Sequence, residues 1–245
     1  MKGRLAAIAV EVAILSAAIV ACGSDPDRLL TEEYGAGAQT VTVIRPASLD
    51  EDVPVVLFLH GWGATRPISY LPWLEHLAQQ GNAVIYPRYQ DSFLTPPREV
   101  LGNVLTGVRT ALAELDEDPS SLVVAGHSAG GALAADYAAI APTAGLPVPV
   151  AVFSAYPGRS LEDVPVSIPE IGTDRIARTT EVLALAGARD DVVGTGEAKR
   201  IGRRGRYVEI DAPDADDHLA PQRDDAAARR EIWPRLDDLI RSTRR

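Results

Sequence analysis

The sequence predicts a single α/β domain with a mostly parallel central sheet and helices on both faces. Short apolar runs alternate with segments of helical spacing across residues 40–243, and no break in composition divides this stretch. Several of the runs are apolar at every position, which is typical of strands buried on both faces of a parallel sheet. The chain has 245 residues and is 46% hydrophobic, which is enough for one sizeable core.

The first predicted elements are two strands, a helix and a third strand. Residues 41–44 form a β-branched run, and residues 53–59 form a continuous apolar run of the buried type. Residues 70–80 have helical spacing, and Gly81 ends them. Residues 83–86 are again a short apolar strand. This order is typical of a strand–helix–strand unit with parallel strands.

The middle of the chain repeats the alternation. Residues 99–115 carry apolar side chains at helical spacing and predict a long helix. A short buried strand at 122–125 precedes an alanine-rich helix at 129–140. Two further apolar runs, 148–154 and 182–186, predict strands of the same sheet.

The last third is less regular. Residues 197–201 predict a weak helix, 207–210 a last strand and 226–240 a terminal helix. Residues 156–180 contain three prolines and have no clear period, which is long for a structureless loop. We expect a small lid or a substrate-binding excursion in this stretch.

The N-terminus has the features of an export signal. Residues 5–21 are the only long apolar run; Lys2 and Arg4 precede it, and it ends at Cys22. The alternative, an uncleaved membrane anchor, is disfavoured by the run's length of about 17 residues, which is short for a bilayer span. Glu11 inside the run also weakens a membrane-spanning interpretation, since a buried carboxylate is costly there.

The residues Ile-Val-Ala-Cys at 19–22 resemble the bacterial lipobox. That resemblance implies that Cys22 becomes the lipid-bearing mature N-terminus. The domains are then a signal peptide at 1–21, a polar tether at 22–39 and a folded domain at 40–245. The protein would be exported and anchored at the outer face of the bacterial cytoplasmic membrane.

Charge and cysteine content exclude several classes of function. The formal net charge is −10, and the mature part carries 22 basic and 33 acidic residues, so a nucleic-acid footprint is disfavoured. An anionic membrane would repel this domain, so the lipid would provide the attachment. A single cysteine excludes intrachain disulfides and cysteine-rich metal sites. We expect neither a cofactor nor a metal.

The strongest chemical signal is the sequence Gly-His-Ser-Ala-Gly at 126–130, between a buried strand and an alanine-rich helix. In such a turn the serine hydroxyl stands clear of the sheet, and the glycines let neighbouring backbone approach. The N-terminus of the following helix favours negative charge beside it. The pattern predicts that Ser128 is a nucleophile rather than only a helix cap.

A serine nucleophile needs a base, and the sequence has four histidines. His218 follows the last strand in a polar loop, where it can reach the carboxyl edge of the sheet. His60 ends an early strand and His76 lies within a predicted helix. His127, beside Ser128, is interpreted as a packing residue whose side chain points away from the serine. His218 is therefore the expected base.

The third residue, an acid that orients the histidine, should follow a strand between the serine and the histidine. Residues 187–193 read Gly-Ala-Arg-Asp-Asp-Val-Val, directly after the run at 182–186. Both Asp190 and Asp191 stand at the required place.

The order Ser128, Asp190, His218, together with His-Gly-Trp-Gly at 60–63 after an early strand, resembles the α/β-hydrolase superfamily. The resemblance covers roughly residues 41–243. It implies Asp190 as the acid, because the family's acid commonly lies in a G-x-x-D-x-x-V context, and it implies a core fold with little or no cap.

Acyl transfer also needs donors for the oxyanion. One is expected to be the backbone N–H of Ala129, directly after the serine. The resemblance implies that the other is the N–H of Trp62, between Gly61 and Gly63. The Trp62 side chain would then also form one wall of the acyl pocket.

The predicted activity is a serine hydrolase that cleaves carboxylic esters through an acyl-enzyme. The compact members that the chain resembles are the dienelactone hydrolase, cutinase and chlorophyllase groups, although true dienelactone hydrolases use a cysteine nucleophile. An acyltransferase, lipase or peptidase could use the same triad. A surface-anchored binding protein without catalysis is the alternative from another class.

The predicted substrate is a small neutral ester. An acidic cluster precedes the histidine and is interpreted as a solvated loop rather than a cation site, because it lacks the spacing of a calcium loop; its members are Asp211, Asp214, Asp216 and Asp217. Such a loop would repel anionic substrates. Tyr89, Phe93 and Tyr156 are aromatic candidates for lining the acyl pocket, and each could equally be a packing residue.

Overall fold

The computed structural model describes residues 28–48, 53–115, 119, 121–161 and 164–244. The predicted signal peptide and Cys22 lie outside these residues. Within the described ranges, no helix combines the length and apolarity that crossing a membrane requires.

The described residues form a main sheet, a small hairpin and two helical layers. The strands are β1 (Leu29–Tyr34), β2 (Val41–Pro46), β3 (Val55–Leu59), β4 (Ala83–Pro87), β5 (Leu122–His127), β6 (Ala151–Ala155), β7 (Ser160–Leu161), β8 (Val164–Ser167), β9 (Glu181–Gly187) and β10 (Arg206–Ile210). The helices are α1 (Leu71–Gln79), α2 (Val100–Leu115), α3 (Ala129–Ala144), α4 (Gly196–Gly202), α5 (Ala226–Glu231) and α6 (Trp233–Thr243).

The main sheet has the strand order β1-β2-β4-β3-β5-β6-β9-β10. β2 runs antiparallel to both of its neighbours, and the strands from β4 to β10 are parallel. The prediction of an α/β fold with a mostly parallel sheet is confirmed. Because the carboxyl ends of the parallel strands meet at one edge, the loops after β3, β4, β5, β9 and β10 lie together there.

Helices cover both faces of the sheet. In β3, Val55, Leu57 and Leu59 belong to the core under α2 and α3, whereas Val56 and Phe58 belong to the core under α1 and α6. All five side chains are buried, as expected for a central strand with side chains alternating between two covered faces.

β1 lies within residues 22–39, which were predicted to be a polar tether. It pairs along its length with β2, from Leu29 opposite Pro46 to Tyr34 opposite Val41. The tether prediction is therefore wrong for residues 29–34, and the sheet begins before residue 40. The position of β1 at the edge of the sheet explains the error, since none of its six residues is fully buried and the segment has no continuous apolar run.

One further prediction needs correction. The predicted terminal helix 226–240 is two helices, α5 and α6, separated at Ile232. Pro234, at the second position of α6, explains the break because it lacks an N–H and its ring clashes with the preceding turn. The irregular stretch 156–180, which we considered too long for a structureless loop, contains the β7–β8 hairpin.

Candidate active site

Ser128 occupies a strained turn between β5 and α3. Its backbone has φ of +56°, which is unusual for a residue with a side chain. The turn is tightly packed: a Cβ at Gly126 would lie 2.2 Å from the Gly130 carbonyl oxygen, and one at Gly130 would lie 2.0 Å from that of Leu59. The glycines therefore let this turn pack against the end of β3 and hold Ser128 at the carboxyl edge of the sheet.

His218 and Asp190 meet Ser128 at that edge. The Ser128 Oγ lies 3.0 Å from His218 Nε2, and His218 Nδ1 lies 2.8 Å from Asp190 Oδ2. Since an ionised carboxylate only accepts hydrogen bonds, Nδ1 carries the ring proton and Nε2 faces the serine hydroxyl as an acceptor. The three side chains have the mutual arrangement that a nucleophile, its base and an orienting acid require.

Asp190 is held in place by its own backbone neighbourhood. Its Oδ1 accepts hydrogen bonds from the N–H groups of Val192 and Val193, at 3.0 and 3.1 Å. Its side chain is fully buried, whereas Asp191 is exposed. Of the two aspartates left open by residue position alone, Asp190 is the one that contacts the histidine.

The loop after β3 runs beside the serine. A Cβ at Gly61 would lie 3.4 Å from the Ser128 Cβ, and Trp62 and Ala129 line the same cleft as Ser128. Among the described residues, the backbone N–H groups of Trp62 and Ala129 make no hydrogen bond in the turns and loops of the site. Trp62 and Ala129, the two residues predicted to bind an oxyanion, therefore lie beside the serine, and their backbone N–H groups have no partner among the described residues.

A buried hydrogen-bond chain connects this loop to the histidine loop. The Gly61 N–H donates to Tyr70 Oη at 2.9 Å, and the Tyr70 hydroxyl donates to His127 Nδ1 at 2.8 Å. His127 Nε2–H donates to the His218 carbonyl oxygen at 2.8 Å. Burial lowers the pKa of His127 to about 3, so its ring stays neutral near pH 7 and keeps one donor and one acceptor.

The interpretation of His127 as a packing residue is therefore incomplete. Its ring joins the loop that carries His218 to the loop that carries Trp62. Tyr70 was not among the predicted site residues, because in the sequence it resembles one more apolar position at the start of a helix. No local pattern marks a hydroxyl whose partners lie nine and 57 residues away.

The three aromatic candidates for the pocket have different roles. Tyr89 and Tyr156 are fully buried, and their hydroxyls donate to the carbonyl oxygens of His60 and Ala215, so both are packing residues. Phe93 is 44% exposed and meets the Trp62 ring edge-on, with centroids 6.3 Å apart. The Trp62 indole N–H also donates to the Phe93 carbonyl oxygen at 3.0 Å.

The cleft beside Ser128 is small and almost entirely apolar. Its cavity volume is about 10 Å³. Besides the serine and the two residues with unpaired donors, it is lined by Gly158, Arg159, Ser160, Val166, Ile168 and Val193. The β7–β8 hairpin and the residues flanking it thus supply one wall of the site, in the stretch where we expected a substrate-binding excursion.

A buried ion-pair cluster fixes that hairpin to the domain. The Arg159 guanidinium contacts both carboxylate oxygens of Asp136 on α3, at 2.8 and 2.9 Å, and Glu197 on α4 at 2.6 Å. Asp136 is fully buried and also accepts the Ile171 N–H at 3.1 Å. Arg200 pairs with Glu197 from the other side, at 2.6 Å.

The acidic loop before the histidine differs from the prediction. Asp216 is buried and pairs with Arg189, whose guanidinium lowers the pKa of that carboxyl. Asp217 pairs with Arg223 at 2.7 Å, with the same effect on its pKa. The interpretation as a solvated loop is wrong for Asp216, and two of the four carboxylates are offset by arginines. No cluster of metal-ligating side chains is found in the part of the chain that the structure describes.

Comparison with known proteins identifies the family. A family model for the alpha/beta hydrolase fold matches residues 56–189. The chain belongs to this family. Its match begins within β3 and ends just before Asp190, so it covers the turn that carries Ser128. The prediction of the α/β-hydrolase fold, made from the residues that resemble that superfamily, is confirmed.

Individual relatives are distant. The chain is 30% identical over 158 residues to the non-reducing polyketide synthase ascC of Acremonium egyptiacum, a match over 56% of this chain that spans only 7% of that protein. An esterase from the fungus Rhizomucor miehei superposes with a TM-score of 0.67 at 18% identity, over 89% of this chain and 84% of the esterase.

A second solved structure, a proposed dienelactone hydrolase from Klebsiella pneumoniae, superposes with a TM-score of 0.63 at 18% identity. The match covers 87% of this chain and 99% of that protein. At such identities the two structures establish a shared fold.

Proposed function

We propose that the protein is a serine-dependent carboxylic ester hydrolase. The observation that carries this proposal is the contact chain from Ser128 Oγ through the His218 ring to Asp190, at 3.0 and 2.8 Å, on the strained turn after β5. Family membership and the esterase fold of the solved relatives support the same chemistry.

In the acylation step, Ser128 Oγ attacks the ester carbonyl carbon while His218 Nε2 takes the hydroxyl proton. Asp190 stabilises the imidazolium that forms and holds its ring in the correct tautomer. The negative charge that develops on the carbonyl oxygen is bound by the N–H groups of Trp62 and Ala129. The tetrahedral intermediate collapses, and His218 returns the proton to the departing alcohol.

The second half of the cycle repeats these roles with water. His218 deprotonates a water molecule that attacks the acyl-enzyme carbonyl, and the same two N–H groups bind the second oxyanion. Collapse of this intermediate releases the carboxylic acid and restores the Ser128 hydroxyl.

A fluorophosphonate probe tests the proposal, because it reacts with an activated serine and leaves a covalent mass adduct. We expect wild-type protein to gain one adduct on Ser128, and Ser128→Ala to gain none. Ser167→Ala, which removes an exposed serine of the hairpin, should label like wild type. Equal labelling of wild type and Ser128→Ala would refute the assignment.

We further propose that the substrate is a small neutral ester. Arg159, the cationic side chain that lines the cleft, has its guanidinium engaged by Asp136 and Glu197 and is not free to bind a substrate carboxylate. Asp191 is exposed next to the triad acid and disfavours an anionic group. A butyrate ester and a succinate hemiester of the same alcohol, which both have four-carbon acyl chains, test this, and kcat/KM should be lower for the hemiester.

Finally, we propose that the protein is exported and anchored by a lipid on Cys22. The sole cysteine at the end of the N-terminal apolar run supports this proposal. Expression of the full chain in a bacterium, followed by fractionation, is the test. Wild type should sediment with membranes and Cys22→Ala should not, and retention of both forms would contradict a lipid anchor.

A further inference from the structure

We propose that the cleft beside Ser128 is an acyl pocket that selects two-carbon acyl groups, so that the substrates are acetate esters. This inference rests on the proposed function and adds the substrate class. It follows from the volume of the cleft, from its apolar lining and from the way its walls are fixed.

The cleft has room for about one methyl group. Its cavity volume of about 10 Å³ corresponds to a single water-sized site. Ser128 and the residues with the two unpaired N–H donors form part of its wall, so a carbonyl carbon bonded to Ser128 Oγ would direct its substituent into this space. An acetyl methyl fits such a space, whereas longer chains exceed the volume of the cleft.

The wall at Val193 is tied to the triad. The Val193 N–H donates to Asp190 Oδ1 at 3.1 Å, so the position of this residue is coupled to that of the acid. Its side chain packs against the backbone at Gly158, where an added Cβ would meet Val193 Cγ1 at 2.2 Å. The Gly158 N–H in turn donates to the Ser128 carbonyl oxygen at 3.1 Å. Movement of this wall would therefore disturb the serine and the acid together.

A second part of the wall is fixed by the ion-pair cluster. Ile168 lines the cleft and donates its N–H to the Arg159 carbonyl oxygen at 2.8 Å. The Arg159 side chain is held by Asp136 and Glu197. Because the backbone of both parts of the wall is held by polar contacts, widening the pocket would require these contacts to shift, and we expect extra methylenes to be disfavoured as they are in a packed core.

The test uses p-nitrophenyl esters of acetate, butyrate and hexanoate, which share one leaving group. For wild type we expect kcat/KM to fall at least about ten-fold from acetate to hexanoate. Val193→Ala removes two carbons from the wall and should raise the butyrate-to-acetate ratio of kcat/KM about ten-fold.

Val192→Ala is the matched control. Val192 also donates its N–H to Asp190 Oδ1, but it is 44% exposed and does not line this cleft. Its butyrate-to-acetate ratio should equal that of wild type.

Two kinds of failure are distinguishable. A wild-type enzyme that prefers hexanoate, or an equal change of the ratio in Val192→Ala and Val193→Ala, would overturn the acyl-pocket inference while ester hydrolysis stands. Absence of hydrolysis of every ester, together with absence of phosphonate labelling at Ser128, would remove the proposed function and this inference with it.

Discussion

Arg159 offers the sharpest test of how the site wall is built. In Arg159→Met, Asp136 loses both guanidinium contacts and keeps only the Ile171 N–H, while Glu197 keeps Arg200. Removing one partner of a buried ion pair typically costs about 3–5 kcal/mol. The Asp136 side chain is fully buried and that of Arg159 is 12% exposed, so we expect a loss in that range. For a domain of this size the melting temperature would fall by roughly 6–20 °C.

The loss should depend on pH. Burial raises the pKa of Asp136 even with Arg159 present, and without Arg159 the pKa rises further. The folded variant then binds a proton at pH values where the unfolded chain does not. Its stability relative to wild type therefore improves as the pH falls toward the unfolded pKa of about 3.9, and the deficit is largest at high pH.

Urea unfolding of wild type and Arg159→Met at pH 8 and pH 5.5 measures the effect. Arg159→Met combined with Asp136→Leu should recover most of the loss, because no unpaired charge remains buried. Arg206→Met removes an exposed pair with Glu181 and should cost less than about 1 kcal/mol. A deficit below about 1 kcal/mol for Arg159→Met, or one that is the same at both pH values, would refute the reasoning.

Three further predictions concern the site. Tyr70→Phe breaks the chain between the Trp62 loop and the His218 loop and should lower kcat at least roughly ten-fold at similar KM. Tyr137→Phe, which removes a buried hydroxyl bonded to the Pro147 carbonyl, should leave kcat within about two-fold; equal effects would contradict the positioning role. Asp190→Asn should lower kcat by about 10³–10⁴-fold, and Asp191→Asn should leave it nearly unchanged in the same assay. Burial lowers the pKa of His127 to about 3, so this residue is protonated more readily in the unfolded chain than in the folded one. The unfolding free energy should therefore fall as the pH drops from about 6.5 toward 3. In His127→Gln the unfolding free energy should depend less steeply on pH, by the amount that corresponds to about one fewer proton taken up on unfolding. An unchanged dependence would show that His127 does not titrate in this way.

The elements and residues that the sequence predicted well share one property, a strong local signal. The apolar run at 53–59 is buried on both faces, and the glycine-flanked Ser128 lies between a strand and a helix, so short-range sterics and burial determine both. Asp190 could be favoured over Asp191 only through resemblance to a family. The two aspartates differ physically because the N–H groups of Val192 and Val193 donate to the carboxylate of Asp190. The position of a residue along the chain does not reveal this contact.

The features that the sequence did not predict depend on distant partners. β1 carries Thr31, Glu32 and Glu33, and only its pairing with β2 makes it a strand. In the sequence Asp216 cannot be distinguished from an exposed carboxylate, because its partner Arg189 lies 27 residues earlier in the chain. In both cases the stabilising contact is long-range, so no local pattern could predict it.

The direction of β1 determines where the proposed lipid anchor would join the domain. Leu29 pairs with Pro46, so the chain enters the sheet at the amino edge of the parallel strands, and Ser128 lies at the carboxyl edge. Strands of this length separate the two edges by roughly 17–20 Å. Six residues separate Cys22 from Leu29, and an extended chain of that length would reach about 25 Å. A lipid on Cys22 would therefore be joined to the domain at the edge remote from Ser128, and because this reach exceeds the separation of the two edges, such an anchor would leave the domain free to present the cleft either to the membrane or to the surrounding medium.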